Sequence, residues 1–232
     1  MLVAVLSDIH ANLEALRVAM ASAEARGADA FVSLGDVVGY GPSPSECVEV
    51  VRSEFALSVL GNHDAAVVGG DVRALPRDGR AAVDVHRALL SEDQVAWLAS
   101  LPLAAERFGA TFVHAAPDQP DRWPRLESFR DTQRQFAAFD TPICFVGHSH
   151  KPAVVSNSLG VLRVRRGHRY LINVGSIGQP RDHDPRLAYG LFDTEAFSVE
   201  LVREHYDHAR TAVEIDRVGL PAGLADRLRQ GL

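Results

Sequence analysis

The sequence predicts an α/β domain built on two sheets. Three observations carry this. Apolar runs of strand length alternate with helix-period segments through the first 60 residues, short apolar runs follow one another directly from about 143 onward, and no Pro/Gly-rich or low-complexity tract divides the 232 residues. The expectation is one domain over 1–232.

The run 2–6 is the first strand. Leu13, Leu16 and Met20 then share one face of a helix that Gly27 can end, and 30–34 is the second strand. Ser43, Pro44 and Glu46 read as N-cap, first-turn proline and capping-box acid of the next helix, before a strand at 57–60. Helical patterning returns at about 79–90, at 92–100 behind the capping box Ser91 to Gln94, and at about 126–138. Strands are expected at 111–113, 143–146, 153–156, 162–165, 169–174, 187–192 and 198–202. Gly160, Gly167 and the 178–185 loop separate the late ones and suggest antiparallel hairpins. A last helix begins at Pro221.

With 47% hydrophobic and 23% charged residues, the chain has the composition of an ordinary globular protein, and its length suffices for a packed core. Cys47 and Cys144 are too few for a disulfide framework or a Cys-based zinc site, and both are expected buried and inert. The start lacks a basic segment ahead of its apolar run, and no stretch approaches the ~18 apolar residues of a membrane span, so a soluble, cytoplasmic protein is expected. A net charge of −6 argues against stable nucleic-acid binding, which needs a cationic face.

Five polar clusters each follow a predicted strand: Ser7-Asp8-Ile9-His10, Gly35-Asp36, Gly61-Asn62-His63-Asp64, His114, and Gly147-His148-Ser149-His150. In open α/β sheets ligands bind beyond the carboxyl ends of strands. Asp8 and His10 are two apart, as are His148 and His150, so in extended backbone each pair points to one side. Imidazoles with carboxylates suit Mn, Fe, Ni, Co or Zn rather than Mg or Ca. Two divalent ions against Asp8 and Asp36 leave a surplus of about two positive charges for a hydroxide and a phosphate, the electrostatics of a two-metal phosphoryl hydrolase. Each cluster alone has a bland reading: an isolated Asp-x-His is a weak motif, His114 can be a rim residue, and Gly-Asn-His-Asp can be a tight turn. Their coincidence decides for metal.

Taken together the clusters resemble the calcineurin-like metallophosphoesterases, whose pattern D-x-H, G-D, G-N-H-[DE], H, G-H-x-H is complete here, and 173–181 (N-V-G-S-I-G-Q-P-R) looks like a segment of the small bacterial phosphodiesterase branch. The resemblance implies a two-sheet β-sandwich flanked by helices, the four-layer αββα fold. It implies Asp8, His10, Asp36 and His150 on one metal, and Asp36, Asn62, His114 and His148 on a second, with Asp36 bridging. It further implies attack by a metal-bridging hydroxide, with His63 contacting the phosphate and protonating the leaving oxygen, and Asp64 orienting His63 through a hydrogen bond. Tyr40 stands where protein phosphatases of the superfamily carry a phosphate-gripping arginine; it is a candidate for stacking on a base, and Arg181 for supplying the missing cation.

The expected activity is therefore a manganese-type, dinuclear-metal phosphodiesterase acting on small phosphoester or nucleotide substrates, dinucleoside polyphosphates included. A phosphomonoesterase or protein phosphatase is the enzymatic alternative, disfavoured by Tyr40, and a non-catalytic scaffold of the same fold is disfavoured by the intact ligand set. Segments 69–101 and 117–139 are candidate caps over the cleft. Exposed sheet edges make a homodimer plausible. His86, His168, His183, His205 and His208 are expected at the surface with no assigned task, and Arg163, Arg165 and Arg166 as a basic strip guarding an edge strand.

Overall fold

The computed structural model describes residues 1–158 and 163–232. The chain runs β1 (Leu2–Leu6), α1 (Leu13–Ala25), β2 (Ala30–Ser33), α2 (Pro44–Glu54), β3 (Leu57–Ser58), α3 (Asn62–Val67), α4 (Arg77–Leu89), α5 (Glu92–Ala99), β4 (Ala104–Arg107) and β5 (Ala110–Val113). It continues through a 3-10 turn (Pro120–Arg122), α6 (Phe129–Gln135), β6 (Ile143–Val146), β7 (Ala153–Ser156), β8 (Tyr170–Asn173), β9 (Leu187–Asp193), β10 (Ser198–Glu204), α7 (His208–Arg217) and α8 (Gly223–Gln230). One sheet has the order β10-β9-β1-β2-β3 and the other β4-β5-β6-β8-β7.

Period-two alternation builds the layers. Val3 and Val5 of β1 face the second sheet, meeting Ile143 and Phe145 of β6 and Tyr170 and Ile172 of β8 in the core of the sandwich. Ala4 and Leu6 face the other way, onto Leu16 of α1 and Val48 of α2. On the second sheet, Cys144, Val146 and Leu171 look outward to Phe136 and Phe139. That outer layer is thin. The first sheet carries two long helices, whereas the second is covered by the seven-residue α6 and its flanking loops. The result is the two-sheet, helix-flanked architecture the resemblance implies.

Local signals vary in how they are realised. At Ser91 the capping box forms: its hydroxyl accepts the Gln94 N–H at 3.2 Å while Gln94 Oε1 accepts the Ser91 N–H at 3.1 Å. Ser43 does precede α2, but its side chain makes no capping bond. The 61–64 segment is not a tight turn but the start of α3, with Gly61 as N-cap.

The late hairpins are a partial correction. β7–β8 and β9–β10 are antiparallel, but β6 pairs parallel with β8 and leaves β7 at the edge. β6 is buried on both faces, so it takes a central place between β5 and β8. Of the strand expected at 162–165, residue 162 and the preceding Gly160 lie outside the described residues, and 163–165 are not strand, so Arg163 and Arg165 do not alternate along an edge strand of their own. The antiparallel edge strand β4 and the helix α7 escape the sequence reading. β4 is mostly exposed on both sides and lacks an apolar run.

Candidate metal centre and the cavities beside it

Every motif leaves the carboxyl end of a strand: Asp8 and His10 after β1, Asp36 after β2, Asn62 after β3, His114 after β5, His148 and His150 after β6. The two sheets bring these ends to one rim. The His148 backbone N–H donates to Asp8 Oδ2 at 2.9 Å and His114 Nδ1 contacts the Leu34 carbonyl at 2.8 Å, so each sheet holds the other's motif in place. The motif glycines serve this approach. A Cβ on Gly147 would overlap Ser7 Oγ and Asp8 Oδ2, and one on Gly61 would overlap the Asp36 backbone and carboxylate.

The convergence of Asp8 with His10, and of His148 with His150, has a different origin from the extended geometry expected. All four residues have left-handed backbone, with φ of 52°, 49°, 62° and 61°, and Asp36 joins them at 51°. Such angles are uncommon outside glycine and cost on the order of 1 kcal/mol or more each, a strain that collects where function demands a geometry. The turns, rather than strand alternation, aim these side chains inward.

Each inner imidazole is braced from behind. His10 Nδ1 lies 3.1 Å from the Val38 carbonyl, His114 Nδ1 is bonded to Leu34, and His150 Nδ1 to the Gln179 carbonyl. A carbonyl only accepts, so each Nδ1 carries a proton, and when the ring is neutral its Nε2 turns a lone pair inward. Those Nε2 atoms meet nitrogen and oxygen atoms at close range. His10 Nε2 and His150 Nε2 are 3.2 Å apart, and Asp8 Oδ1, buried without a hydrogen bond, is 3.1 Å from His150 Nε2. His114 Nε2 is 3.1 Å from Asn62 Oδ1, 3.2 Å from His148 Nδ1 and 3.4 Å from Asp36 Oδ2. Asp36 Oδ2 is also 3.7 Å from His10 Nε2, which places this carboxylate between the two groups. Nitrogen and carboxylate atoms packed this closely favour positive charge among them, a proton or a metal ion, and this donor set fits a divalent transition metal. Three subsets, Asp8/His10/His150, His10/Asp36/His63 and Asp8/Asp36/His114, present ligand atoms within 4.8 Å of one another.

The charges agree. Burial drives His10, His148 and His150 below the ordinary imidazole range, His148 to about 3. His114 is the exception: burial opposes its charge, but Asp36 outweighs it and raises the group to about 9, so a cation is favoured at that Nε2. Burial also works against ionisation of Asp8 and Asp36, yet the facing imidazoles hold both carboxylates below the usual range.

Around this centre several expectations change. Asp64 does not orient His63: its Oδ1 accepts the Val38 N–H and its Oδ2 the Gly61 N–H, both at 3.1 Å, which ties the start of α3 to the loop after β2. His63 Nδ1 is buried with no hydrogen-bond partner, against Gly39, and His63 is set instead by its backbone N–H on Asp36 Oδ1 at 2.8 Å. Burial pushes His63 down to about 4, with Asp36 opposing and Arg181 reinforcing, and it pushes Asp64 up to about 7, with Asp36 adding to the effect. Tyr40 has no face open for a base. It is 3% exposed, its ring centroid 4.7 Å from that of His10 and 4.5 Å from that of His63, with the guanidinium carbons of Arg181 and Arg227 at 5.5 and 5.7 Å.

His86 is not a surface residue. It is fully buried on α4, its Nδ1 accepting the Gly39 N–H at 3.0 Å and its Nε2 donating to the Gly41 carbonyl at 2.9 Å, a staple across the loop that carries Tyr40. Its only sequence signal was its place on the apolar face of α4 with Ala82 and Val83. Trp123, whose ring meets His114 edge-on at 5.8 Å, and Arg227 were also missed, because both reach the site from distant segments. His183 and His205 are exposed, and His168 and His208 are half-buried. Cys47 and Cys144 are buried, and burial raises both thiols, as expected of inert cysteines.

Two cavities flank the centre. The smaller, about 450 Å³, is lined by Asp36, Asn62, His63, Tyr40 and His150, and walled by Gly70, Ala74, Leu75 and Pro76 on one side and Asp121, Arg122 and Trp123 on the other. The larger, about 670 Å³, lies over the outer face of the second sheet. Arg125, His148 and Arg181 line both. Among the described residues no helix is long and apolar enough to cross a membrane.

Comparison with known proteins follows the same lines. The calcineurin-like phosphoesterase superfamily domain matches residues 1–196. The protein MJ0912 of Methanocaldococcus jannaschii is 38% identical over 99% of this chain and 98% of its own length. A crystal structure of a metallophosphoesterase from Sphaerobacter thermophilus superposes with a TM-score of 0.89 at 37% identity, covering 100% of this chain and 99% of that one. A symmetrical bis(5'-nucleosyl)-tetraphosphatase of Aromatoleum aromaticum is 35% identical over 88 residues, 35% of this chain and 32% of that protein. With the motif-bearing strand ends, the fold and these matches in agreement, the chain belongs to the calcineurin-like phosphoesterase superfamily.

Proposed function

We propose that this protein is a phosphodiesterase that works with two divalent transition-metal ions, manganese the first choice, on small nucleotide-type substrates. The observation that carries this is the set of imidazole Nε2 atoms turned onto the Asp8 and Asp36 carboxylates, each imidazole braced by a carbonyl. Asp8, His10, Asp36 and His150 would hold one ion, and Asp36, Asn62, His114 and His148 the other. Bound there, the ions supply Lewis acidity toward a phosphoryl oxygen and toward the attacking water.

The remaining work falls to this chain's own groups. His63, neutral at pH 7 because of its burial, lines the smaller cavity as a hydrogen-bond partner for the phosphoryl group, and the negative charge of a bound phosphate would favour its protonated form at the leaving oxygen. Arg181 takes the part of the guanidinium absent at position 40: its Nε is buried without a hydrogen-bond partner, and it borders both cavities. Segments 70–76 and 121–125, within the stretches 69–101 and 117–139, serve as the caps that select substrate. The partial match to a bis(5'-nucleosyl)-tetraphosphatase supports a nucleotide.

Metal analysis of the purified protein, with turnover of bis-p-nitrophenyl phosphate and p-nitrophenyl phosphate in added manganese, tests the reading. Two bound metals per chain and preference for the diester are expected. Preference for the monoester overturns the diester assignment, and absence of both metal and turnover overturns the enzyme.

A further inference from the structure

The larger cavity is not needed to hold metal, and its construction differs from the centre's. Val146 of β6, Leu171 of β8 and Val155 of β7 make an apolar floor on the outer face of the second sheet, where the thin α6 layer leaves room. Arg125, Lys151 and Arg181 stand over that floor, with the Glu127 side chain and the end of the chain at Leu232 also at the lining. Among the described residues none of the three cations is in an ion pair, although the chain is acidic overall. A volume near 670 Å³ is that of a site for a drug-sized ligand. Apolar floor and cationic mouth together recognise an organic group that carries its own negative charge.

In-line displacement at phosphorus puts the attacking and departing oxygens on opposite sides. His63 lies in the smaller cavity, so the departing arm belongs there. The arm that stays on phosphorus must leave the centre by another route, and the larger cavity begins at the shared residues Arg125, His148 and Arg181. We propose that the larger cavity is the subsite for this retained arm and that the arm is anionic, a nucleotide-sized group bearing at least one further phosphate. The proposal rests on the phosphoesterase reading of the adjoining site. Water supplies the oxygen of the new P–O bond, the bond to the departing arm breaks, and one water proton goes to that arm's oxygen through His63. The other goes to solvent. The products are a free hydroxyl or phosphate in the smaller cavity and a terminal phosphate on the anionic arm in the larger one.

The test uses Lys151→Ala and Val155→Asp, which weaken the cationic mouth and place a negative charge on the floor. Bis(5'-adenosyl) tetraphosphate is compared with bis-p-nitrophenyl phosphate, whose arms are uncharged. KM for the tetraphosphate should rise by roughly tenfold in Lys151→Ala and more in Val155→Asp. Its kcat should hold within a few-fold, and the KM change for the small diester should be at least several-fold smaller. Equal changes for both substrates, or none, overturn the proposal. Binding of ADP to metal-free protein, by calorimetry, keeps the two readings apart. ADP affinity that falls in Lys151→Ala and Val155→Asp supports the subsite even if no diester is hydrolysed, and wild-type ADP affinity in both variants refutes it even if hydrolysis is brisk. Binding of inorganic pyrophosphate as tight as that of ADP would remove the organic group from the assignment.

Discussion

His114 and His86 are both fully buried, and both bond to a main-chain group of a loop that follows a strand of the first sheet. They differ at the second nitrogen. His114 spends Nδ1 on Leu34 and turns Nε2 toward Asp36, Asn62 and His148, a set dominated by carboxylate and amide oxygens. His86 spends one nitrogen on the Gly39 N–H and the other on the Gly41 carbonyl, which exhausts it. Electrostatics separates them in the same sense: Asp36 holds His114 up at about 9, while burial takes His86 down to about 4. A buried histidine whose second nitrogen faces carboxylates is suited to carry positive charge there, a proton or a metal ion. One satisfied at both nitrogens is built to hold the chain.

The sharpest way to break that contrast is at Asp36, which stands between the two ligand groups. Asp36→Asn keeps shape and one acceptor but removes the charge, and turnover should fall by more than the roughly 10–100-fold that loss of a merely supporting partner costs. Metal content should fall with it. Full rate at saturating manganese would remove Asp36 from the bridging position. Metal withdrawal comes next in size. Manganese at 100 times its dissociation constant stabilises the fold by about 2.7 kcal/mol. Chelation should therefore lower Tm by roughly 5–10 °C in a chain of this length. A scanning-calorimetry trace that does not move with chelator would count against the centre.

These residues were the legible part of the molecule. Asp8, His10, Asp36, Asn62, His114, His148 and His150 could be named because metal-competent side chains follow apolar runs, and strand ends are readable as hydrophobic pattern. What the pattern hid was how they converge. Extended backbone was expected at Asp8 to His10, and the left-handed turns found there depend on contacts with Gly35, Asp36 and Val37 carbonyls from the neighbouring loop. The parallel pairing of β6 with β8 was likewise a tertiary choice, invisible in the short runs that suggested hairpins. His86 was misplaced for the same reason, since its partners lie 45 and 47 residues away in the chain.

His86 supplies the converse test. His86→Phe orphans the Gly39 N–H and the Gly41 carbonyl, at about 1–3 kcal/mol for each buried group, so urea unfolding should show a loss of several kcal/mol while metal stoichiometry stays as in the wild type. Loss of metal without loss of stability would put His86 among the cation holders instead. Acid adds a second reading. The unfolded imidazole takes up a proton near pH 6.5 and the folded one only near 4, so stability is whole above about 6.5 and is lost as pH falls toward 4. The full difference is roughly 3 kcal/mol. His86→Gln should flatten that limb.

The smallest effect separates two roles for Asp64. As an orienter of His63 it would matter to turnover, so Asp64→Asn would depress kcat steeply. As the clamp seen here, accepting from Val38 and Gly61, it matters to the loop: asparagine can accept one of those N–H groups while its own amide faces the other. One unsatisfied buried donor costs about 1–3 kcal/mol. Asp64→Asn should therefore lose stability on that scale in urea and keep kcat within a few-fold at a temperature where it is folded. A steep fall in kcat with unchanged stability would return Asp64 to the role the motif implied and make its contacts with the backbone incidental.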